Sequence, residues 1–371
     1  MKRNIQCLYK KIELYRYKIL KKDASIATIF RGLIRLFYPI FGSRLFLNSR
    51  LVNHRNREAH SIYNLVNEAS CGNETLKKDM ILCYYYYHIL PWEYNLYHFE
   101  KQSHKERLCW LSDTDRYMIC ELLMGSGPYW TLKDKSKFYN MVKQYYKRPI
   151  FQFLSSTKES ELEEFMHSND CDLFVKPIDG SLGRDTFKVL TNAERLSLYN
   201  KLIKTKGNWL IEGAIVQSSK MSEWNHSSVN TVRIPSIRAY NQWHILQPFF
   251  RTGRKGQIVD NAGAGGILCV VDEETGFVTS NGFDESSNVY ETHPDSNLRY
   301  KGWKLPEYKK LVELTKQIHE ALPVDFIYVG FDFALTDNGW DLIEGNWGQF
   351  VGQIAAQKGI KKEFDDYIGI K

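Results

Sequence analysis

The sequence predicts an α+β protein preceded by a helical N-terminal region. Three observations carry that prediction. Apolar residues recur at helical spacing through about Tyr146. Short strand patterns then alternate with helical ones from Ile150 to Val216. After Val229 strands dominate, and they close in a hairpin. A chain of 371 residues is long for one compact core, so two or three lobes are expected. The changes of pattern divide it into a basic helical extension (1–70), a mostly helical region (71–148), an α/β layer of alternating strands and helices (149–225) and a strand-dominated remainder (226–371).

Ser25 is placed to cap a helix running to about Phe41, whose apolar stripe is Ile26, Ile29, Phe30, Leu33, Ile34, Phe37 and Phe41. Two readings of it stay open: a helix lying on a membrane surface, or one docked on the protein's own core. Asn73, Ser112 and Asp134 are N-cap residues before further apolar-periodic runs. Tyr84–Tyr87 covers every face of one helical turn, as in a helix packed on both sides. Strands are expected at Ile150–Leu154, Asp172–Ile178, Thr186–Leu190 and Asn208–Val216, with helices at Thr157–His167 and Asn192–Lys206 between them. Then come strands Thr231–Tyr240, Trp243–Thr252, Ile267–Val271 and Phe277–Ser280, a helix from Pro306 to about Leu322, the hairpin Tyr328–Leu335 and Trp340–Asn346, and a C-terminal helix.

Seven cysteines are scattered without a CxxC pair, which argues against a disulfide framework or a zinc site and for a reducing, cytoplasmic setting. The net charge of +7 is uneven. Residues 1–60 carry 14 Lys/Arg against 3 Asp/Glu, a charge of +11, so the remaining 311 residues carry −4. An anionic partner is therefore expected for the extension, a membrane surface or a polyanion, with the protein peripheral on the inner face of the membrane in the first case. Nucleic acid is not expected, because the body is acidic and shows no recognition module. Met1 to Lys22 lacks an apolar signal-peptide core, and Ile26 to Leu47 holds Arg31, Arg35 and Arg44, too charged for a membrane span.

The most informative segment is the last hairpin. Asp337-Asn338-Gly339 is a turn signal, and a three-residue loop with Gly339 in the left-handed conformation pairs Thr336 with Trp340. Counted outward, Asp332 then faces Glu344 across the ladder, with Asn346 on the same face. Facing carboxylates repel unless a cation lies between them, and carboxylates with an amide oxygen make a hard site that suits magnesium on phosphates. A solvated edge with scattered charges explains Asp332 poorly, since Phe331, Phe333 and Leu335 mark a half-buried strand.

Four other constellations accompany it. Lys176 ends an apolar strand and precedes a glycine loop, Asp179 to Arg184, that can hold phosphate oxygens; a plain hairpin turn is the alternative. Glu212-Gly213 ends a strand that could meet a nucleoside, or could be a strand end and nothing more. Arg233, Arg238 and Arg251 sit inside apolar strands, where arginine is costly unless it meets an anion or a structural ion pair. Asp260 to Gly266 has three glycines in four positions, a sign of close backbone approach or of a mobile loop.

The order of these features resembles the ATP-grasp superfamily. Through Ser228-Val-Asn-Thr-Val-Arg233, Asn261…Gly265-Gly266 and Asp341-Leu-Ile-Glu-Gly-Asn346, it resembles more closely the ATP-grasp proteins encoded with sugar transferases in bacterial surface-polysaccharide clusters. The likeness covers roughly residues 80–371. It implies two α+β subdomains clamping ATP. It also implies phosphate contacts from Lys135 and Lys176, a lid loop of Gly180, Ser181 and Gly183, and Glu212 at the adenine hinge. Asp332, Glu344 and Asn346 would hold Mg2+, and Arg233 would stabilise the transferred phosphate. The chain departs from the pattern at Arg184-Asp185, where further glycine is common, and at Gly213 after Glu212, which leaves Gln217 as the candidate for the ribose.

The resulting expectation is an ATP-dependent carboxylate–amine ligase acting through an acyl-phosphate. Its substrates would be a small-molecule or nucleotide-linked sugar carboxylate, such as a uronic acid, and an amine or amino acid, in capsule or surface-polysaccharide biosynthesis. A sugar phosphotransferase with the same nucleotide site is one rival. A non-catalytic, membrane-associated scaffold binding a polyanion through residues 1–60 is another.

Overall fold

The computed structural model describes residues 64–179, 185–190, 192–205, 207–260, 265–348 and 350–369. The expectations for residues 1–60 lie outside these. The chain divides into two compact units, one holding the described residues through Leu123 together with those from Gln357, the other holding Met124–Ala356. This division differs from the expected boundary at 148.

The first unit is helical. Its helices are α1 (Glu74–Tyr87), α2 (Pro91–Leu96), α3 (His104–Arg107) and α4 (Asp113–Met124), followed by the C-terminal helix Lys361–Tyr367. Two of the expected caps are in place: Asn73 accepts from the amides of Thr75 and Leu76, and Ser112 from that of Asp115. Phe99 is buried among the rings of Tyr87, Tyr94, Tyr97 and Trp110. Among the described residues, no helix is long and apolar enough to cross a membrane, and the six cysteines are unbonded.

The second unit begins with α5 (Ser126–Lys133) and α6 (Lys135–Val142), the latter capped by Asp134 as expected. Next comes a four-stranded sheet in the order β1-β4-β2-β3, made of β1 (Ile150–Phe153), β2 (Leu173–Pro177), β3 (Phe187–Val189) and β4 (Trp209–Gly213). Helices α7 (Glu159–Ser168) and α8 (Asn192–Thr205) cover one face of it through Leu162, Met166, Leu198 and Leu202. Alternation along a strand sends Leu173, Val175 and Ile211 to that apolar face and Lys176 and Glu212 to the other.

After a short helix, α9 (Ser219–Ser222), the chain builds an eight-stranded sheet. Its strands are β5 (Thr231–Ala239), β6 (Gln242–Ile245), β7 (Phe249–Thr252), β8 (Ile267–Val270), β9 (Gly282–Phe283), β10 (Val289–Tyr290), β11 (Tyr328–Thr336) and β12 (Gly339–Trp347). The order is β10-β9-β8-β7-β5-β11-β12, with β6 paired to β5. The strand expected over Trp243–Thr252 is two strands, broken before Pro248, which has no amide hydrogen for a ladder. Phe277–Ser280 forms isolated bridges rather than a strand.

Helix α10 (Tyr308–Ala321) and helix α6 pack on the apolar face of this sheet, against Val232, Ile234, Phe331, Phe333 and Leu342. That packing places α5 and α6 in this unit. A Cβ at Gly345 would come within 2.5 Å of the Phe138 ring, so only glycine lets α6 lie so close to β12. The opposite face carries Arg251, Thr231, Arg233, Asp332, Glu344 and Asn346 on the neighbouring strands β7, β5, β11 and β12. A last short helix, α11 (Gly352–Ala356), packs through Ala355 against Phe249, Leu268 and Val270.

His319 ties α10 to the sheet. Its Nε2 donates to the Phe326 carbonyl (2.6 Å), so Nδ1 accepts from the Ser236 hydroxyl (2.6 Å). Burial pushes its pKa down from 6.5 to about 4, with Arg238 acting in the same direction. The unfolded chain therefore takes up a proton here that the folded chain refuses. The contribution of His319 is full above pH 6.5 and is lost as pH falls toward 4, amounting to about 3 kcal/mol. Denaturant titrations across that window should show this part of the slope in the natural chain and its loss in His319→Gln.

Candidate functional site

The site is built on the last hairpin. Gly339 adopts the left-handed conformation (φ +87°), but the loop has two residues, not three: Thr336 pairs with Gly339 and Leu335 with Trp340. That register alone would set Asp332 against Ile343. A β-bulge between Asp332 and Phe333 shifts it by one residue, and Asp332 faces Glu344 after all. The expected pair thus forms by a different route. The bulge also turns Asp341, which pairs with Ala334, to the same face as Glu344, although they are three positions apart.

Asp332 is buried and held from two sides. Arg233 donates to both its oxygens (Nε 2.5 Å, Nη2 2.5 Å), and Nη2 of Arg251 reaches Oδ2 at 3.1 Å. Burial would raise the Asp332 carboxyl, but these guanidiniums hold it below the usual range. Arg251 also donates from Nε to the Thr231 hydroxyl (2.8 Å) and lies 3.5 Å from Asp260. Thr231 donates to Asp260, whose carboxyl burial raises in spite of Arg251. Nδ2 of Asn346 lies 3.3 Å from Asp332 and 3.2 Å from Glu344, so the three expected metal ligands are together.

The small sheet supplies the lysines. Nζ of Lys176 lies 2.5 Å from Oε1 of Glu212, and both side chains are buried. Arg148 takes the other oxygen of Glu212 (Nε 2.9 Å, Nη2 2.5 Å) and reaches Asp341 of the large sheet with Nη1 (2.9 Å). Burial would raise the Glu212 carboxyl, but Arg148 and Lys176 hold it below the usual range. Lys135, at the first turn of α6, donates to the Pro177 carbonyl (3.3 Å), which brings it beside Lys176. Burial lowers its pKa, against the pull of Glu344, the strongest of the charges acting on it.

The other expected residues fare differently. The Glu212 side chain, expected at the adenine hinge, is engaged as above, and β4 is flanked by β1 and β2. The next two amides are also engaged, Gly213 to Pro149 (2.8 Å) and Ala214 to Asp172 (2.7 Å). The Gln217 amide is likewise committed rather than offered to a ribose. It donates to the carbonyls of Asn225 (2.7 Å) and Ser228 (3.0 Å) and accepts twice from Asn230 (2.9 Å each). Asn230, fully buried, thereby anchors the start of β5 and aims Thr231 and Arg233 at the site. Arg238 closes the C-terminal end of α10 through the carbonyls of His319, Leu322 and Pro323, a structural role. Gly180, Ser181 and Gly183 lie outside the described residues.

Residues 126–367 match the family described as sugar-transfer associated ATP-grasp. The chain belongs to that family. No curated protein matches it. Solved structures similar to it include D-alanine–D-alanine ligase from Bacillus anthracis, at 12% identity over 69% of this chain and 72% of that one, with a TM-score of 0.38. N5-carboxyaminoimidazole synthetase from Staphylococcus aureus complexed with ADP gives 12% over 70% and 59%, with 0.45. L-amino acid ligase from Bacillus licheniformis gives 12% over 64% and 48%, with 0.40.

In this ATP-grasp chain the sequence reading passed over Arg148 and the role of Asp341. Asp341 lies within a motif that marked the family, but Arg148 stands between Lys147 and Pro149 with nothing to set it apart. The donor chemistry fits a hard divalent cation: two carboxylates and an amide whose oxygen and nitrogen can exchange by a flip. Among the described residues no three His, Cys, Asp or Glu side chains are grouped to hold a metal, so such a cation would complete its shell with phosphate oxygens and water.

The two carboxylates should respond differently to substitution. Glu344→Gln is expected to weaken Mg·ATP binding at least about tenfold with little change in Tm. Asp332→Asn should weaken it as well and also cost about 3 kcal/mol of stability, because it removes the counter-charge of two buried guanidiniums. Calorimetric binding and thermal melts of both variants check this; near-normal binding by either would remove that residue from the metal site.

Proposed function

We propose that the chain is an ATP-dependent carboxylate–amine ligase that uses Mg2+ and forms ADP and phosphate. The observation that carries this reading is the cluster of Asp332, Glu344 and Asn346 on one face of the last hairpin, with Lys135 held at the Pro177 carbonyl beside Lys176. Lys176 and Lys135 would bind the nucleotide's phosphate oxygens as point charges. Glu344 and Asn346, with Asp332, would hold the magnesium ion, which when bound neutralises those oxygens. The work is positioning and charge neutralisation, with no enzyme nucleophile.

In the first step a substrate carboxylate oxygen attacks the γ-phosphorus. The bond from that phosphorus to the β–γ bridging oxygen breaks, and ADP leaves. In the second step an amine attacks the acyl-phosphate carbon, phosphate departs and the amine proton passes to solvent. Arg233, on the face that carries Asp332, would stabilise the transferred phosphoryl group. For the carboxylate we infer a sugar acid of the uronic type, free or nucleotide-linked, in capsule or surface-polysaccharide assembly, with an amine or amino acid as acceptor. The support is the sugar-transfer association of the family.

Hydroxylamine intercepts acyl-phosphates as hydroxamates. Incubation with Mg·ATP and a panel of uronic acids, followed by hydroxylamine, is expected to give hydroxamate and ADP in equal amounts. A stable phosphosugar without phosphate release would replace the ligase with a phosphotransferase. AMP formation would reject attack at the γ-phosphorus.

A further inference from the structure

We propose that Arg148 is a positioning residue of the nucleotide site: acting through Glu212, it sets where the Lys176 ammonium lies relative to Glu344 and Asn346. The inference rests on the reading of Lys176 as a phosphate contact and goes beyond it. The four side chains Lys176, Glu212, Arg148 and Asp341 form one buried row of alternating charge, each side chain 8% exposed or less. Two cations and two anions leave the row neutral, which is the condition for burying it.

The row joins the two sheets. Glu212 and Lys176 belong to the small sheet; Asp341 belongs to β12, the strand that also carries Glu344 and Asn346. Arg148 suits the junction because its planar fork offers donors in two directions. Nε and Nη2 converge on Oε2 of Glu212, while Nη1 donates to Asp341 (2.9 Å) and to the Leu342 carbonyl (2.8 Å). The Tyr146 ring lies 5.1 Å from the guanidinium carbon and limits its movement.

A lysine stem is flexible, so the place of its ammonium is set by its counter-ion. With Arg148 present, Glu212 is anchored at Oε2 and meets Lys176 through Oε1 (2.5 Å), its charge shared between two cations. Without Arg148, Glu212 would keep Lys176 as its direct ion-pair partner and would hold it more tightly, away from an incoming phosphate. The tie to β12 would be cut as well.

The test is a double-mutant cycle on ADP affinity, measured by calorimetry with Mg2+ present, with Tm recorded for each variant. Arg148→Lys keeps the charge but cannot span both carboxylates. It should weaken ADP about tenfold in the natural background, and by no more than about twofold when Lys176 is already Met. Asp341→Asn, which cuts the other end of the row, should show the same dependence on Lys176 and serves if Arg148→Lys does not fold. Equal losses in both backgrounds would overturn the inference, since a purely structural role adds independently of Lys176. No loss in the natural background would overturn it too. If Lys176→Met alone leaves ADP affinity unchanged, the reading of Lys176 has failed, visibly in a single variant, and the role of Arg148 goes with it.

Discussion

Two carboxylates placed directly opposite each other in a buried ladder repel, and much of the second unit is arranged around that repulsion. Asp332 faces Glu344 because a bulge corrects the register of a two-residue hairpin. Arg233 and Arg251 approach Asp332 from β5 and β7, and Asn346 lies against both acids. Arginine is the suitable cation because its delocalised charge and forked donors engage a carboxylate at two points in a place with little water. The neighbouring groups follow from the same need. Thr231 and Asp260 meet Nε of Arg251 while its Nη2 reaches Asp332, and Asn230 fixes the strand from which Thr231 and Arg233 project.

The two sheets share a logic. Each gives its apolar face to helices and keeps a polar face, and alternation along the strands sorts the residues. On the small sheet Leu173, Val175 and Ile211 lie under α7 and α8 while Lys176 and Glu212 point the other way. On the large sheet Phe331 and Phe333 lie under α6 and α10 while Asp332 points the other way. Arg148 connects the two polar faces through Glu212 and Asp341. A charged link of this kind tolerates burial because it is neutral as a whole, and it depends on direction in a way an apolar contact does not.

Much of the site was legible in the sequence because it is local. A turn signal and two strand patterns bring Asp332, Glu344 and Asn346 to one end of a hairpin, though the bulge, not the period of two, sets Asp332 opposite Glu344. The caps at Asn73, Ser112 and Asp134 are equally local, since each side chain bonds amides two or three residues on. The hairpin shows the limit of such counting. A three-residue loop and a two-residue loop followed by a bulge yield the same facing pair, and sequence alone does not separate them.

The order of the motifs along the chain was enough to point to the ATP-grasp family and the α+β class, and the last hairpin to name the paired acids. Tertiary structure decided what each charged group meets, because a buried charge takes the nearest opposite charge in space, however distant in the chain. Arg233 reaches Asp332 across 99 positions and Arg148 reaches Asp341 across 193. Glu212 pairs with Arg148 and Lys176, and Gln217 spends its amide on the turn that leads to Asn230. Spacing carries no trace of these pairings, since they exist only once β4, β5, β11 and β12 have been brought side by side with the segment at Arg148.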